Sequence, residues 1–179
     1  GDLKRDNDGA TVIVEGKVRD TQGKPIAGAV IELWQTAENG LYSNQDGAQP
    51  EYNLRASIQV RDDGAYALTT VRPSPYSVPD DGPVGELLRA TGRHAWRPSH
   101  LHFIIKAPGY RSLVTEVFPS DDPYLDEDAV FGVREDLIME YVEQNDTTRI
   151  PDTFEAKDKI AAPYFKVDFD FVLSEETSK

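Results

Sequence analysis

Arg97-Pro98-Ser99-His100-Leu101-His102-Phe103-Ile104-Ile105 is the stretch on which the fold turns. From His100 onward it is rich in aromatic and β-branched residues, the composition of a strand. Successive strand side chains point to opposite faces. The spacing therefore puts Leu101, Phe103 and Ile105 together, toward a core, and His100 with His102 on the other face. Two of the chain's three histidines stand here. Paired neutral imidazoles can begin a metal site. His-x-His is also short enough to arise by chance, and a hydrogen-bonded pair without metal fits the pattern equally well.

Outward from this strand, short alternating segments are punctuated by Gly, Pro, Asn and Asp. Residues 11–18 and 29–35 read as strands, joined through a turn at 20–25 in which Gly23 supplies positive φ and Pro25 fixes φ. Residues 58–61 and 65–70 flank Asp62-Asp63-Gly64 and predict a hairpin. Residues 112–118 form a further strand. Residues 166–173 alternate, with Val167, Phe169, Phe171 and Leu173 inward and Lys166, Asp168 and Asp170 toward water. Short helices are expected at 85–90 and 134–142, and a polar connecting loop at 146–158. The sum is a mainly β chain, a β-sandwich with short helices and long loops.

The chain has 179 residues, enough for one domain with a real core. Its net charge is −13, from 32 acidic and 19 basic residues, which argues against a nucleic-acid backbone or an anionic membrane as partner. Cysteine is absent, so disulfides, thiolate metal sites and a Cys nucleophile are excluded. No apolar run is long enough to span a bilayer and no signal peptide is visible, so the expected setting is cytoplasmic. The chain opens on Gly1-Asp2-Leu3-Lys4 rather than on methionine, which weakens that last expectation.

Further motifs surround the histidines. They are Gly40-Leu41-Tyr42-Ser43, Asn53-Leu54-Arg55, Asp63-Gly64-Ala65-Tyr66, the run from Arg72-Pro73-Ser74-Pro75-Tyr76-Ser77-Val78-Pro79 to Gly85, Thr91-Gly92-Arg93-His94-Ala95-Trp96-Arg97 leading into the histidine strand, and Asp122-Pro123-Tyr124-Leu125-Asp126. Spacing alone does not single out Tyr42 and Tyr76 from eight tyrosines. Together, and in this order, the motifs resemble the intradiol ring-cleaving dioxygenases, especially the hydroxyquinol and catechol 1,2-dioxygenase group. The resemblance runs from about Val12 to the C-terminal strand.

That resemblance implies a prealbumin-like β-sandwich forming a single catalytic domain over residues 1–179, without the helical domain that usually precedes it in the group. It implies one Fe(III) per chain, held by Tyr42, Tyr76, His100 and His102. The substrate would be a small aromatic diol, cleaved with O2 between its hydroxylated carbons to a cis,cis-muconate or maleylacetate-type product. Tyr76 would leave the metal and accept a substrate proton, and Arg97 would stabilise negative charge on the ring. Leu41, Val78, Val130, Phe131 and Gly132 would line the pocket. Glu116 occupies a position that is usually Gln or His and would tune the iron without binding it. A homo-oligomer stays open.

His94, Trp34 and Trp96 are expected to be structural, and the acidic runs 121–122 and 126–128 to be solvated loop, since EF-hand spacing is missing. Two rival readings are a non-catalytic prealbumin-like binding module and a zinc hydrolase. Zinc sites favour His, Cys and carboxylate over two phenols.

Overall fold

The computed structural model describes residues 1–4, 7–150, 154 and 157–176. Two sheets face each other. The first is built around β1 (Thr11–Asp20), which pairs antiparallel with β4 (Ala65–Val71), from Thr11↔Val71 to Lys17↔Ala65. Parallel to β1 run β11 (Tyr164–Asp168) and β12 (Phe171–Leu173), and β10 (Val142–Gln144) adds to β11. The second sheet has the order β3-β2-β7-β8-β9: Arg55–Gln59, Val30–Trp34, Leu101–Lys106, Leu113–Pro119 and Ile138–Met139. A ribbon of β5 (Tyr76–Ser77) and β6 (Trp96–Arg97) and, among the described residues, one α-helix, α1 (Pro83–Ala90), sit among the connections.

The alternation expected around the histidines holds. Leu101, Phe103 and Ile105 are fully buried and pack with Ile31, Leu33, Val12, Val14, Leu68 and Phe171 between the sheets. Phe103 and Phe171 meet across the layers with ring centroids 4.9 Å apart. β1 does not alternate, because both its faces are covered. Val12 and Val14 face the main core, while Ile13 joins a second cluster with Ile150, Phe154, Ile160 and Tyr164.

Three expectations are corrected. The turn at 62–64 forms, with Arg61 N–H donating to the Ala65 carbonyl, but no hairpin follows. β3 pairs with β2 and β4 with β1, so this turn carries the chain from one sheet to the other. Residues 134–142 are not a helix but a 3-10 turn (Glu135–Leu137) and β9, which pairs parallel with β8. The edge of β8 captures Ile138 and Met139, and the β-branched Ile138 suits that strand better than a helix. Residues 166–173 break into β11 and β12. The break occurs where the Phe169 carbonyl turns onto Gly16: a Cβ there would lie 1.8 Å from that oxygen, which also accepts a 2.6 Å bond from Tyr66 Oη. Phe169 is half-buried as a result, while Val167, Phe171 and Leu173 are fully inward. The loop expected at 146–158 lies partly outside the described residues. Among the described residues no helix is long and apolar enough to cross a membrane.

Candidate metal centre

The strand ladder places the histidines. Trp34 on β2, His102 on β7 and Glu116 on β8 stand in one cross-strand row, on the face away from the core. The Trp34 indole stacks on the His102 imidazole at 4.7 Å with planes 6° apart. His100 lies just before β7 and is 3% exposed. The turn leading to it is pinned by Asp122, which accepts from Ser99 N–H at 2.8 Å and Ser99 Oγ at 2.6 Å.

Loops bring in the tyrosines. Tyr76 on β5 pairs directly with Arg97 on β6. Tyr42 follows a tight turn in which Gly40 N–H donates to the Ala37 carbonyl. Gly40 has φ +77°, and a Cβ there would sit 3.4 Å from the Pro75 carbonyl and 3.5 Å from Tyr76 Cβ. The turn that aims Tyr42 thus rests against the segment carrying Tyr76.

All four side chains converge. Tyr42 Oη lies 3.0 Å from His102 Nε2 and 3.4 Å from Tyr76 Oη, and the two Nε2 atoms are 3.0 Å apart. Donors bonded at about 2.0–2.2 Å to one ion, at angles of 90–109°, are separated by about 2.8–3.6 Å, so the spacing fits a shared cation. The tautomers agree. His100 Nδ1–H donates to the Pro98 carbonyl at 2.7 Å, which leaves a lone pair on Nε2. His102 Nδ1 faces the Glu116 carboxylate at 3.6 Å, which favours its proton on that side and a second lone pair on Nε2. With these tautomers the two Nε2 atoms, 3.0 Å apart, can both turn a lone pair to one cation.

Electrostatics reinforce this. Burial, then the neighbouring His100, pushes the His102 pKa down to about 4; burial and then Arg97 lower that of His100. Both imidazoles are therefore neutral donors at pH 7. Burial, with the hydrogen bond to Tyr76 next, raises the Tyr42 phenol above its ordinary value, so its ionisation needs a cation alongside. Phenol oxygen and imidazole nitrogen suit a hard or borderline metal.

Arg97 is buried between two carboxylates. Its Nε donates to Asp128 Oδ1 at 3.0 Å, while Nη1 and Nη2 donate to Glu116 Oε2 and Oε1 at 3.1 and 2.5 Å. Burial lowers the guanidinium pKa, but hydrogen bonds donated to Asp128 and Glu116 more than offset this and the net shift is upward. Nη1 also lies 3.3 Å from His100 Nε2, which puts the positive charge at the edge of the donor cluster. Glu116 comes within 3.7 Å of His100 Nε2 and groups with both histidines, yet its two oxygens are both engaged by Arg97.

Of the expected pocket residues, Gly132 abuts the Arg97–Glu116 pair: a Cβ on it would lie 2.3 Å from Glu116 Oε1 and 2.7 Å from Arg97 Nη2. Val130 and Phe131 stand exposed on the same loop, Phe131 at 77% with Arg93 stacked 3.8 Å over its ring. Leu41 precedes Tyr42 and is exposed; Val78 follows β5 and is half-buried. The acidic runs require correction. Asp121, Asp126 and Glu127 are solvent-exposed, but Asp122 and Asp128 are buried hydrogen-bond anchors. A buried arginine demands counter-charges, and that demand was the available clue to Asp128. Trp34 is a packing residue as expected, but its packing partner is a donor imidazole.

The β-sandwich thus brings two phenols and two imidazoles to one point, with a buried arginine beside them. The family model described as "Dioxygenase" matches residues 2–175, and the chain belongs to the intradiol ring-cleavage dioxygenase family. It is 44% identical over 170 residues to a hydroxyquinol 1,2-dioxygenase of Rhizobium sp. (strain MTP-10005), covering 94% of this chain and 56% of that protein. It is 39% identical to a catechol 1,2-dioxygenase of Candida albicans, covering 92% of this chain and 52% of that one. The crystal structure of hydroxyquinol 1,2-dioxygenase from Pseudomonas putida DLL-E4 superposes with TM-score 0.89 at 46% identity, over 98% of this chain and 60% of that one. The chain thus spans a little over half the length of the relatives it matches.

Proposed function

We propose that the chain is an intradiol dioxygenase catalytic domain that holds one Fe(III) through Tyr42, Tyr76, His100 and His102 and uses O2 to cleave catechol-type rings between the hydroxylated carbons. The observation that carries this is the convergence of two phenol oxygens and two imidazole lone pairs at separations of 3.0–3.4 Å. Neither a binding module nor a zinc hydrolase needs that donor set. Family membership and the hydroxyquinol and catechol relatives support the same reading.

Bound ferric iron would supply Lewis acidity that makes the substrate's hydroxyl groups easier to ionise and its ring electron-rich toward O2. The chain's own groups do the rest. His100 and His102 stay neutral and fixed, one by the Pro98 carbonyl and one by the Trp34 stack. Tyr76 is half-buried on a two-residue strand and, held as a phenolate by the ferric ion, would take one substrate hydroxyl proton on that oxygen and leave as the neutral phenol. Arg97, charged and held by two carboxylates, faces the negative charge that develops on the ring. Gly132 keeps the 128–132 loop close enough to wall the substrate beside that charge. The product is a cis,cis-muconate, or a maleylacetate-type acid from a 1,2,4-triol. The similarity to hydroxyquinol enzymes makes that triol the first substrate to try.

The test is colour, iron and turnover together. Phenolate-to-iron charge transfer absorbs visible light, so iron-loaded protein should be reddish with about one iron per chain. O2 uptake with hydroxyquinol, catechol and bulkier catechols, read with product spectra, should show ring opening. Colourless protein that retains zinc and consumes no O2 would refute the proposal.

A further inference from the structure

The geometry points to Asp128 as the positioning residue of this site: one carboxylate that holds the Arg97 guanidinium and shapes the 128–132 loop, so that charge and ring wall are set together. This inference rests on the ring-cleaving reading above.

Each oxygen of Asp128 accepts once from the arginine and once from the loop. Oδ1 takes Arg97 Nε at 3.0 Å and Val130 N–H at 3.2 Å. Oδ2 takes Arg97 Nη2 at 3.2 Å and Gly132 N–H at 2.8 Å. Asp128 is 3% exposed, so these bonds form away from competing water. Phe131, between the two tethered amides, is held at φ +57°, a conformation that an unsupported phenylalanine avoids. Arg93 braces the loop from the far side. It donates to the Asp128 and Ala129 carbonyls at 2.7 and 3.3 Å and covers the Phe131 ring.

Glu116 cannot take over this role. It binds only the outer nitrogens of Arg97 and no amide of the loop, whereas Asp128 binds Nε and so fixes the guanidinium from its root. The loop in turn reports on the arginine, because Gly132 has no room for a Cβ against Arg97 and Glu116. A shift of either element displaces the other.

The test uses iron-loaded protein carrying Asp128→Asn or Gly132→Ala. Iron per chain, the anaerobic Kd for catechol, kcat per bound iron and amide hydrogen exchange at Val130 and Gly132 are measured. Iron content should stay within about threefold and anaerobic Kd should rise only several-fold as the ring wall loosens, while kcat per iron falls on the order of 30- to 100-fold, because Arg97 acts chiefly on charge that develops during reaction. Exchange at the two amides should speed up by about tenfold or more in Asp128→Asn. Gly132→Ala tests the contact between loop and arginine alone, since its Cβ meets Arg97 and Glu116 directly. Should Asp128→Asn fail to fold, Asp128→Glu, which keeps the charge and shifts the oxygens, should give the same fall in kcat per iron with faster exchange at the two amides, and wild-type values for both overturn the inference. A merely structural Asp128 would lower iron content or melting temperature and leave kcat per iron within about threefold of wild type, which overturns the inference. If wild type itself opens no catechol ring, the ring-cleaving reading is what fails. Exchange at the two amides and at Arg97 Nε–H then judges the coupling, and unchanged rates in Asp128→Asn reject it.

Discussion

The two histidines and the two tyrosines reach the same point by different physical means. His102 stands in β7 and His100 one residue before that strand, and the backbone period of two puts both on one side. Ladder pairing with β2 and β8 fixes the depth of His102 and supplies Trp34 and Glu116 on either side of it, while the Pro98 carbonyl holds His100 at the strand's entry. Tyr42 and Tyr76 come from separate connections 34 residues apart, aimed by a glycine turn and a two-residue ribbon. Half of the donor set is therefore built into the sheet, and half rests on loops that lean on each other. Donors on the sheet should be costly to lose and hard to displace; donors on loops should respond to small changes in backbone shape.

The sharpest break in that comparison removes a sheet-borne donor. His102→Ala should abolish stable iron binding, because it deletes one of the four donors and leaves the cluster with a single imidazole. Iron per chain after desalting should fall close to zero. A full iron complement would show that the cluster is not the binding site. Tyr42→Phe removes one loop-borne donor and keeps the ring that packs edge-on against Tyr76 at 5.7 Å. Its iron affinity should fall by at least the ~10- to 100-fold typical of losing an outer-shell partner, with weaker visible absorption. A titration against a competing chelator separates the two variants. Equal losses would erase the distinction between sheet and loop donors.

The same division decided what could be read in the sequence. Leu101, Phe103 and Ile105 alternate with the histidines, so the strand, its buried face and the paired imidazoles all follow from periodicity. Tyr42 and Tyr76 have no periodicity linking them, and only the resemblance to a family singled them out. Asp128 was legible in neither way. Its neighbours Asp126 and Glu127 are solvent-exposed, and nothing local separates it from them; what buries it is Arg97, 31 residues away. The hairpin at 58–70 failed for a related reason. Turn residues specify the turn, but which sheet each strand joins depends on partners far along the chain.

The third comparison uses protons in the metal-free protein. The folded chain holds His102 near pKa 4, against 6.5 for an ordinary histidine, and His100 is shifted the same way. Between pH 6.5 and 4 the unfolded chain binds protons that the folded one refuses. Stability is therefore highest above pH 6.5 and falls as pH drops, by roughly 1–3 kcal/mol from His102. Urea unfolding at pH 7, 5.5 and 4.5 should show this decline, and His102→Gln should make it shallower, leaving the share that His100 contributes. Tyr42→Phe carries no such proton and should leave the slope alone. A wild-type stability that is constant across the range would contradict the burial assigned to the pair.

The smallest effect is the most discriminating. Gly40→Ala touches no donor atom and no sheet residue. It places a Cβ at φ +77°, which costs an L-residue about 1–2 kcal/mol, and sets it 3.4 Å from the Pro75 carbonyl. For a domain of this size the melting temperature should fall by about 2–8 °C. If the tyrosine loops support each other, the strain is relieved by moving Tyr42 away from Tyr76. Iron affinity should then drop several-fold while the Trp34–His102 stack and the β7 amides keep their hydrogen-exchange protection. The sheet half of the site would be intact and the loop half displaced, by a change of one methyl group. Unaltered iron affinity alongside the lowered melting temperature would mean that the loops hold Tyr42 independently of the Gly40 turn, and that the mutual support inferred from their contact is not what aims it.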